Sequence, residues 1–376
     1  MSARNIAATP AWRATWSKVL ADISSRPLAH CSDFPDVAAR WESWWRFEAK
    51  RPLIEIAVEK NPSIRWGKAF DLLNSPAEWL GVRRLQVENT HYAGEALPFI
   101  RTDIGPVATA AFLGAPLHLA EEEQTSWQET IIQDWAHLPE LALDPANPWF
   151  AKIRALSALV AQDAKGKYLV CLPDLAGAMD VLANMRGPDR LCMDLFDHRE
   201  DVKQAADRVV ASWEAAFVAL HGAILGAGAG ILQWVGCWSN VPYTVPTCDF
   251  NALIGPEDFA EVCLPSLRQQ ARRAGRCVIH LDGPSAARHA EALAQEPAIT
   301  AVQYTPGAGT PSALAKLDML RLLQSARKPI LVICPAEEVE KLCDRLDPRG
   351  LALWPTGIAT PQLADRTVKT VESKFS

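Results

Sequence analysis

A (β/α)8 TIM barrel, with an N-terminal helical extension and loops inserted at the C-terminal mouth of its strands, is the fold class that this 376-residue sequence predicts. Three observations predict it. From residue 52 onward short β-rich runs alternate with long helical patterns, the signature of a parallel sheet covered by helices. The runs number eight, the count that closes on itself. No GxGxxG follows a strand, whereas an open doubly wound sheet usually carries a glycine-rich first turn for a nucleotide.

Taken in order, residues 1–51 read as a helical extension, and residues 52–376 as the barrel. The extension concentrates Trp41, Trp44 and Trp45 in WESWWRF, a cluster that suits either an amphipathic helix docked on the barrel or a ligand surface. PLIEIAVE (52–59) is the first strand. SPAEWLGVRRLQVE then opens a helix with Ser75 as N-cap and Pro76 at its first position. PFIRTDIG (98–105) is the second strand, and residues 106–150 form a hairpin-like or irregular insertion. KYLVCLPDL (167–175) is the third. The GAGAG at 226–230 precedes the fourth strand, GILQWVGCWS (230–239), and so reads as a helix-ending turn. An extended loop at 240–255 follows, then a helix that starts on Pro256 and stops at Gly275. CVIHLDG (277–283), ITAVQYTPG (299–307), PILVICP (329–335) and LALWPTG (351–357) complete the set.

Composition bounds the function. The chain is 49% hydrophobic and 22% charged with a net charge of -6, enough apolar material for a large core. It lacks the basic footprint that nucleic acid or an anionic membrane would demand. No signal-peptide core is visible at the start and no run reads as a bilayer span, so a cytoplasmic protein is expected. The nine cysteines include no CxxC pair, and most, Cys171, Cys277 and Cys334 among them, read as reduced thiols packed as small hydrophobes.

Barrel geometry brings the C-terminal ends of all strands to one mouth. At or just past those ends lie Asp174, Cys237, Trp238, His280, Asp282, Gln303, Tyr304 and Thr356, with Asp249 in the long loop. His280 and Asp282 stand two residues apart on one strand and therefore on one face. Burying an imidazole beside a carboxylate is costly unless each has a partner or a task. His280, Asp282, Asp174 and Tyr304 are the catalytic candidates. Gln303, Trp238, Asp249 and Thr356 are the candidates for holding substrate. His280 and Asp282, with Cys237 or Cys248 as a sulfur donor from a neighbouring loop, are the candidates for a divalent metal such as zinc. The remaining histidines lie on helices or loops away from the mouth.

The string HLDGPSAARHAEALAQEPAITAVQYTPGAG, together with CDFNALIGPEDFAEVCLPSLRQQ and LPDLAGAMDVLANMRG, resembles the uroporphyrinogen decarboxylase superfamily, in particular a bacterial branch with HLDG followed by QxxPG. The resemblance implies a TIM barrel. It also implies one of two chemistries, cofactor-free decarboxylation or zinc-dependent methyl transfer from a corrinoid protein. The arginine-rich motif of the true decarboxylases, resembling RQAGRY, has no counterpart after the first strand, which argues against uroporphyrinogen as substrate. Of the methyltransferases' zinc ligands His280 matches the histidine, while Asp282 and Thr356 stand where cysteines would be. The expectation is a methyl or related group-transfer enzyme acting on a small molecule, with His280 and Asp282 holding a metal or working as an acid/base pair. A corrinoid protein as docking partner and a homodimer are what the resemblance implies. The rivals are a metal-free decarboxylase or lyase of a carboxylated molecule, and a ligand-binding relative without catalysis.

Overall fold

The computed structural model describes residues 11–64, 66, 71–120, 125–307, 309 and 312–376. The first ten residues of the expected extension and residues 121–124 of the expected insertion lie outside that set. Twelve strands are present among the described residues: β1 Leu53–Glu59, β2 Thr90–Gly94, β3 Phe99–Arg101, β4 Leu117–Ala120, β5 Thr125–Gln128, β6 Leu169–Cys171, β7 Ile231–Leu232, β8 Tyr243–Thr244, β9 Arg276–Asp282, β10 Ala301–Thr305, β11 Ile330–Pro335 and β12 Leu351–Thr356.

The protein is a mixed α/β fold dominated by parallel pairing. One sheet has the order β2-β1-β12-β11-β10-β9-β8, a second the order β3-β6-β7, and β4-β5 is a separate hairpin. Among the described strands, β1–β2 and β4–β5 pair antiparallel and the other ladders are parallel. The eightfold closed ladder expected from the sequence is not formed: among the described residues no ladder joins β7 to β8 or β3 to β1. At the first break side chains replace the ladder. The Gln233 backbone N–H donates to Tyr243 Oη at 3.0 Å, and Gln233 Nε2 donates to the Tyr243 carbonyl at 3.0 Å. At the second break the antiparallel edge strand β2, which the alternation did not announce, occupies the flank of β1. The two parallel arcs nevertheless enclose one interior. Gly236, just past β7, sits so close to the Glu55 carboxylate of β1 that a Cβ there would lie 1.8 Å from Oε1.

That contact also explains why the fourth strand is two residues long rather than the ten expected. Gly236 has φ +78°, a left-handed conformation that glycine adopts without penalty, and the chain turns there. Residues 237–242 run back towards the N-terminal ends of the strands before β8 rises alongside the start of β9. The helix at 256 also departs from expectation. It opens on Pro256–Asp258, widens into a π-turn over Phe259–Cys263, and continues as Leu264–Ala274. Pro265 has no N–H and its ring would strike the carbonyl one turn back, and widening that turn avoids the clash. Gly275 ends the helix at φ +120°.

Helices cover the outer faces. The longest, Arg199–Gly226, is long and apolar enough to cross a membrane by length and composition, contrary to the expectation that no segment reads so. Here it packs on helices Pro148–Ala164 and Ala178–Arg186, burying Trp213, Phe217, Leu220 and Ile224. It serves as a core helix of this fold. At the N-terminal ends of the strands lies helix Phe34–Trp45. Trp41 and Trp44 are fully buried. Their indole N–H groups donate to the Glu95 and Ile330 carbonyls, and that of Trp45 to the Trp238 carbonyl. Glu42 of the same helix pairs with Arg276 at the start of β9, at 2.6 Å. The tryptophan cluster is therefore a plug against the strand starts, and not a ligand surface. Burying roughly 150–250 Å² per ring is worth roughly 4–6 kcal/mol each before entropy is counted.

Candidate functional site

Along β9 the side chains alternate. Cys277, Ile279 and Leu281 face the covering helices and are buried, while Arg276, Val278, His280 and Asp282 face the interior. The neighbouring strand β10 lies in register, with Gln303 opposite His280 and Thr305 opposite Asp282. The hydrogen bonds follow from that pairing. Gln303 Oε1 accepts from His280 Nδ1, and Gln303 Nε2 donates to Thr305 Oγ1 at 2.9 Å. Gln303 is fully buried, so no water competes. With the amide oxygen as acceptor Nδ1 carries the proton, and in the neutral ring Nε2 keeps its lone pair. The imidazole is held edge-to-face by Trp234, with centroids 5.0 Å apart, and Nε2 lies 4.0 Å from Asp249 Oδ1. A ring oriented through Nδ1, with Nε2 turned towards a carboxylate, is an arrangement in which an imidazole can work as a general base.

Asp249 is positioned by a residue that the sequence reading missed. Asp180, in the first turn of helix Ala178–Arg186, is buried and accepts from Thr247 Oγ1 at 2.6 Å and from the Asp249 and Phe250 backbone N–H groups at 3.0 Å each. Burial pushes the Asp180 carboxyl up, and these donors oppose it. Burial, followed by the negative charges of Asp180 and Asp282, pushes Asp249 up to about 7. Its side chain nonetheless retains 62% of its accessible surface, so water screens part of that crowding. The signal available for Asp180 was the acid in the string LPDLAGAMD, one turn into a helix that follows a strand end.

A second group gathers at the ends of β3 and β6. Asp174 is 9% exposed and its Oδ1 accepts from the Ala176 N–H at 2.9 Å. Burial raises its carboxyl to about 6. Arg101 and the Ala176 N–H act against the rise, and Asp103 and Asp180 add to it. Arg101 Nε lies 3.2 Å from Asp103 Oδ2. Both residues belong to the predicted strand PFIRTDIG, whose polar C-terminal end carried the same signal as HLDG. The loop holding Asp174 is strained. Ala176 sits at φ +57° and Val107 at φ +56°, conformations that cost side-chain-bearing residues ~1–2 kcal/mol, more for a β-branched one. The 107–109 segment clamps the loop through the Ala108 N–H to the Asp174 carbonyl and Thr109 Oγ1 to the Leu175 carbonyl.

Other candidates fall elsewhere. Tyr304 follows Gln303 and so faces outward, 1% exposed among Val302, Leu320 and Leu323. It packs the outer layer and does not reach His280's side of the strand. Trp238 is fully buried, packs edge-on to Phe34 and donates to Asn240 at 2.7 Å. It belongs to the contact with the N-terminal helices because the chain had already turned at Gly236. Cys237 is buried beside it, and burial raises its thiol. The Cys248 thiol is buried against Cys263. Thr356 stays at the exposed end of β12, donating to the Cys334 carbonyl at 3.3 Å, and Asp282 is exposed at the end of β9.

A buried acid was also missed. Glu55 faces the interior from β1 and is 8% exposed, with Oε2 lacking a hydrogen-bond partner among the described residues. Burial first, and the nearby Glu95 second, push it up to about 8. The donor set does not suit a metal. Among the described residues no three His, Cys, Asp or Glu side chains are grouped to hold one, and the thiols expected to help are packed in the core.

No family model matches the sequence, and no curated protein matches it. Among solved structures, a methyltransferase from Methanosarcina mazei shares the fold with a TM-score of 0.57 over 90% of this chain and 98% of that one, at 12% sequence identity. At that identity the likeness is one of fold.

Proposed function

We propose that this chain is a methyl or related group-transfer enzyme of the uroporphyrinogen decarboxylase superfamily, its two arcs forming one (β/α)8 barrel and its reaction taking place at the C-terminal ends of the strands. The observation that carries the reading is His280, fixed through Nδ1 by buried Gln303 and offering Nε2 beside Asp249. In this reading Nε2 takes the proton from an incoming thiol or hydroxyl. The imidazolium formed is then paired with Asp249, and Asp180 holds the Asp249 backbone in place. The thiolate or alkoxide would bond to the methyl carbon as the donor's bond to that carbon breaks, the donor leaving with the electron pair; a methylcobamide on a partner protein is the donor class the sequence resemblance suggests. No step is assigned to a metal.

The test is to titrate the protein with methylcobalamin and a panel of thiols and follow demethylation by absorbance. The expected result is thiol-dependent demethylation that His280→Gln slows by ~10²–10⁴-fold, the span of a general base. Neither binding nor demethylation with any thiol would overturn the proposal. A second reading has its own support: Asp174 and Asp249 are held at about 6 and about 7, close to the poise of proton donors at neutral pH. That suits a metal-free decarboxylase or lyase, which would turn over a carboxylated substrate without any methyl donor.

A further inference from the structure

Where the ladder between β1 and β3 is missing, a cavity of about 370 Å³ occupies the gap. That volume lies within the ~300–1,000 Å³ range of small-ligand pockets. Ala57 from the interior face of β1, Tyr92 of β2 and Arg101 of β3 form one side. Trp79 and Arg83 of helix Pro76–Asn89 form the other. None of the residues around His280 lines it.

Its charges are not balanced. Arg101 is committed to Asp103 at 3.2 Å, but Arg83 makes no ion pair among the described residues. Arg83 Nη1 donates to the neutral Gln86 Oε1 at 2.8 Å, and the guanidinium lies over the Trp79 ring at 5.3 Å. Burial disfavours its charged form, and only the charge of Asp103, with which it makes no ion pair, opposes that, so an anion entering the cavity would relieve the part of the desolvation cost that remains. Arg83 and Arg101 share one lining carboxylate, Asp103, which acts on both, while Asp174, outside the lining, acts on Arg101 as well. The guanidinium fork matches a carboxylate in a bidentate geometry, and the Tyr92 and Ala57 surfaces match an apolar body.

We propose that this cavity binds a small molecule bearing one carboxylate, with Arg83 as its counter-ion and Arg101 as a second donor. The assignment does not depend on methyl transfer and survives its failure.

Isothermal titration calorimetry of the full chain with benzoate, hexanoate, benzamide and inorganic phosphate tests it. The expected result is binding of a carboxylate at least tenfold tighter than benzamide and tighter than phosphate. Arg83→Met should weaken it at least tenfold, while Arg83→Lys retains part of the affinity. Ala57→Leu fills the cavity without touching a charge and should abolish binding, which decides the matter if Arg83→Met does not fold. Unliganded melting temperatures establish which variants are intact. The proposal is overturned if no carboxylate binds up to ~10 mM. It is equally overturned if benzamide binds as well as benzoate, if phosphate binds most tightly, or if an intact Arg83→Met binds like the parent.

Discussion

Glu55 is the group whose replacement the structure predicts most sharply. It is buried in the interior with one oxygen against Gly236 and the other without a hydrogen-bond partner among the described residues. Its neighbour Glu95 is already saturated by Arg40, Arg51 and the Ile54 N–H. Burial therefore raises the carboxyl from 4.5 to about 8. A raised folded-state value means that the folded chain binds the proton more tightly than the unfolded one. The associated stability is fully present below 4.5 and is lost as pH rises through about 8. At pH 7 the unfolded chain ionises freely and the folded chain does not, a gap of roughly 2.5 units at ~1.36 kcal/mol each, or about 3 kcal/mol. Glu55→Gln removes this dependence, while its second buried N–H costs about 1 kcal/mol at every pH. The variant should thus be slightly less stable than the parent at pH 4.5 and about 2 kcal/mol more stable at pH 7. Urea unfolding at half-unit steps from pH 4.5 to 8.5 measures the difference directly. A stability difference that stays flat across that range would refute the reasoning, whatever its sign, because it would mean that Glu55 ionises alike in both states.

Three further outcomes follow from the same structure. Ala176→Gly should stabilise the chain by roughly 0.5–1 kcal/mol in urea unfolding by relieving the left-handed backbone beside Asp174. Trp44→Ala should cost roughly 3–5 kcal/mol and lower the melting temperature, because it opens a void between the N-terminal helix and the start of β11. Asp282→Asn removes one of the charges that crowd Asp249. The Asp249 carboxyl midpoint in a ¹³C NMR titration should then move down towards the ordinary value of ~3.9, and an unmoved midpoint would show that burial and Asp180 set it without Asp282.

Some parts of the protein were legible in the residues and others were not. Local periodicity marked β1, β9, β10, β11 and β12 closely, because each is an apolar run bounded by Gly, Pro or polar residues. The helix-ending turn at 226–230 was legible for the same reason: Gly228 adopts φ +79°. The hairpin β4–β5 lies where an irregular or hairpin-like insertion was expected. The fourth strand was over-read because GILQWVGCWS stays apolar on both sides of the turn. Composition could not reveal that Gly236 faces a carboxylate from the far side of the interior. Trp238 and Cys237 were lost from the site with it. Tyr304 was misassigned although period-two alternation alone places it opposite Gln303.

By itself, then, the sequence determined the parallel α/β character, the order of the elements and the strand that presents His280 and Asp282, since propensity, periodicity and the two-residue repeat are properties of neighbouring residues. Tertiary structure alone decided that Gln303 orients His280, that Asp180 holds Asp249, that Glu55 is sealed in the interior and that a cavity opens beside β1. Each of these joins residues tens to hundreds of positions apart, and their energies come from burial and electrostatic proximity, which exist only once the chain has brought them together.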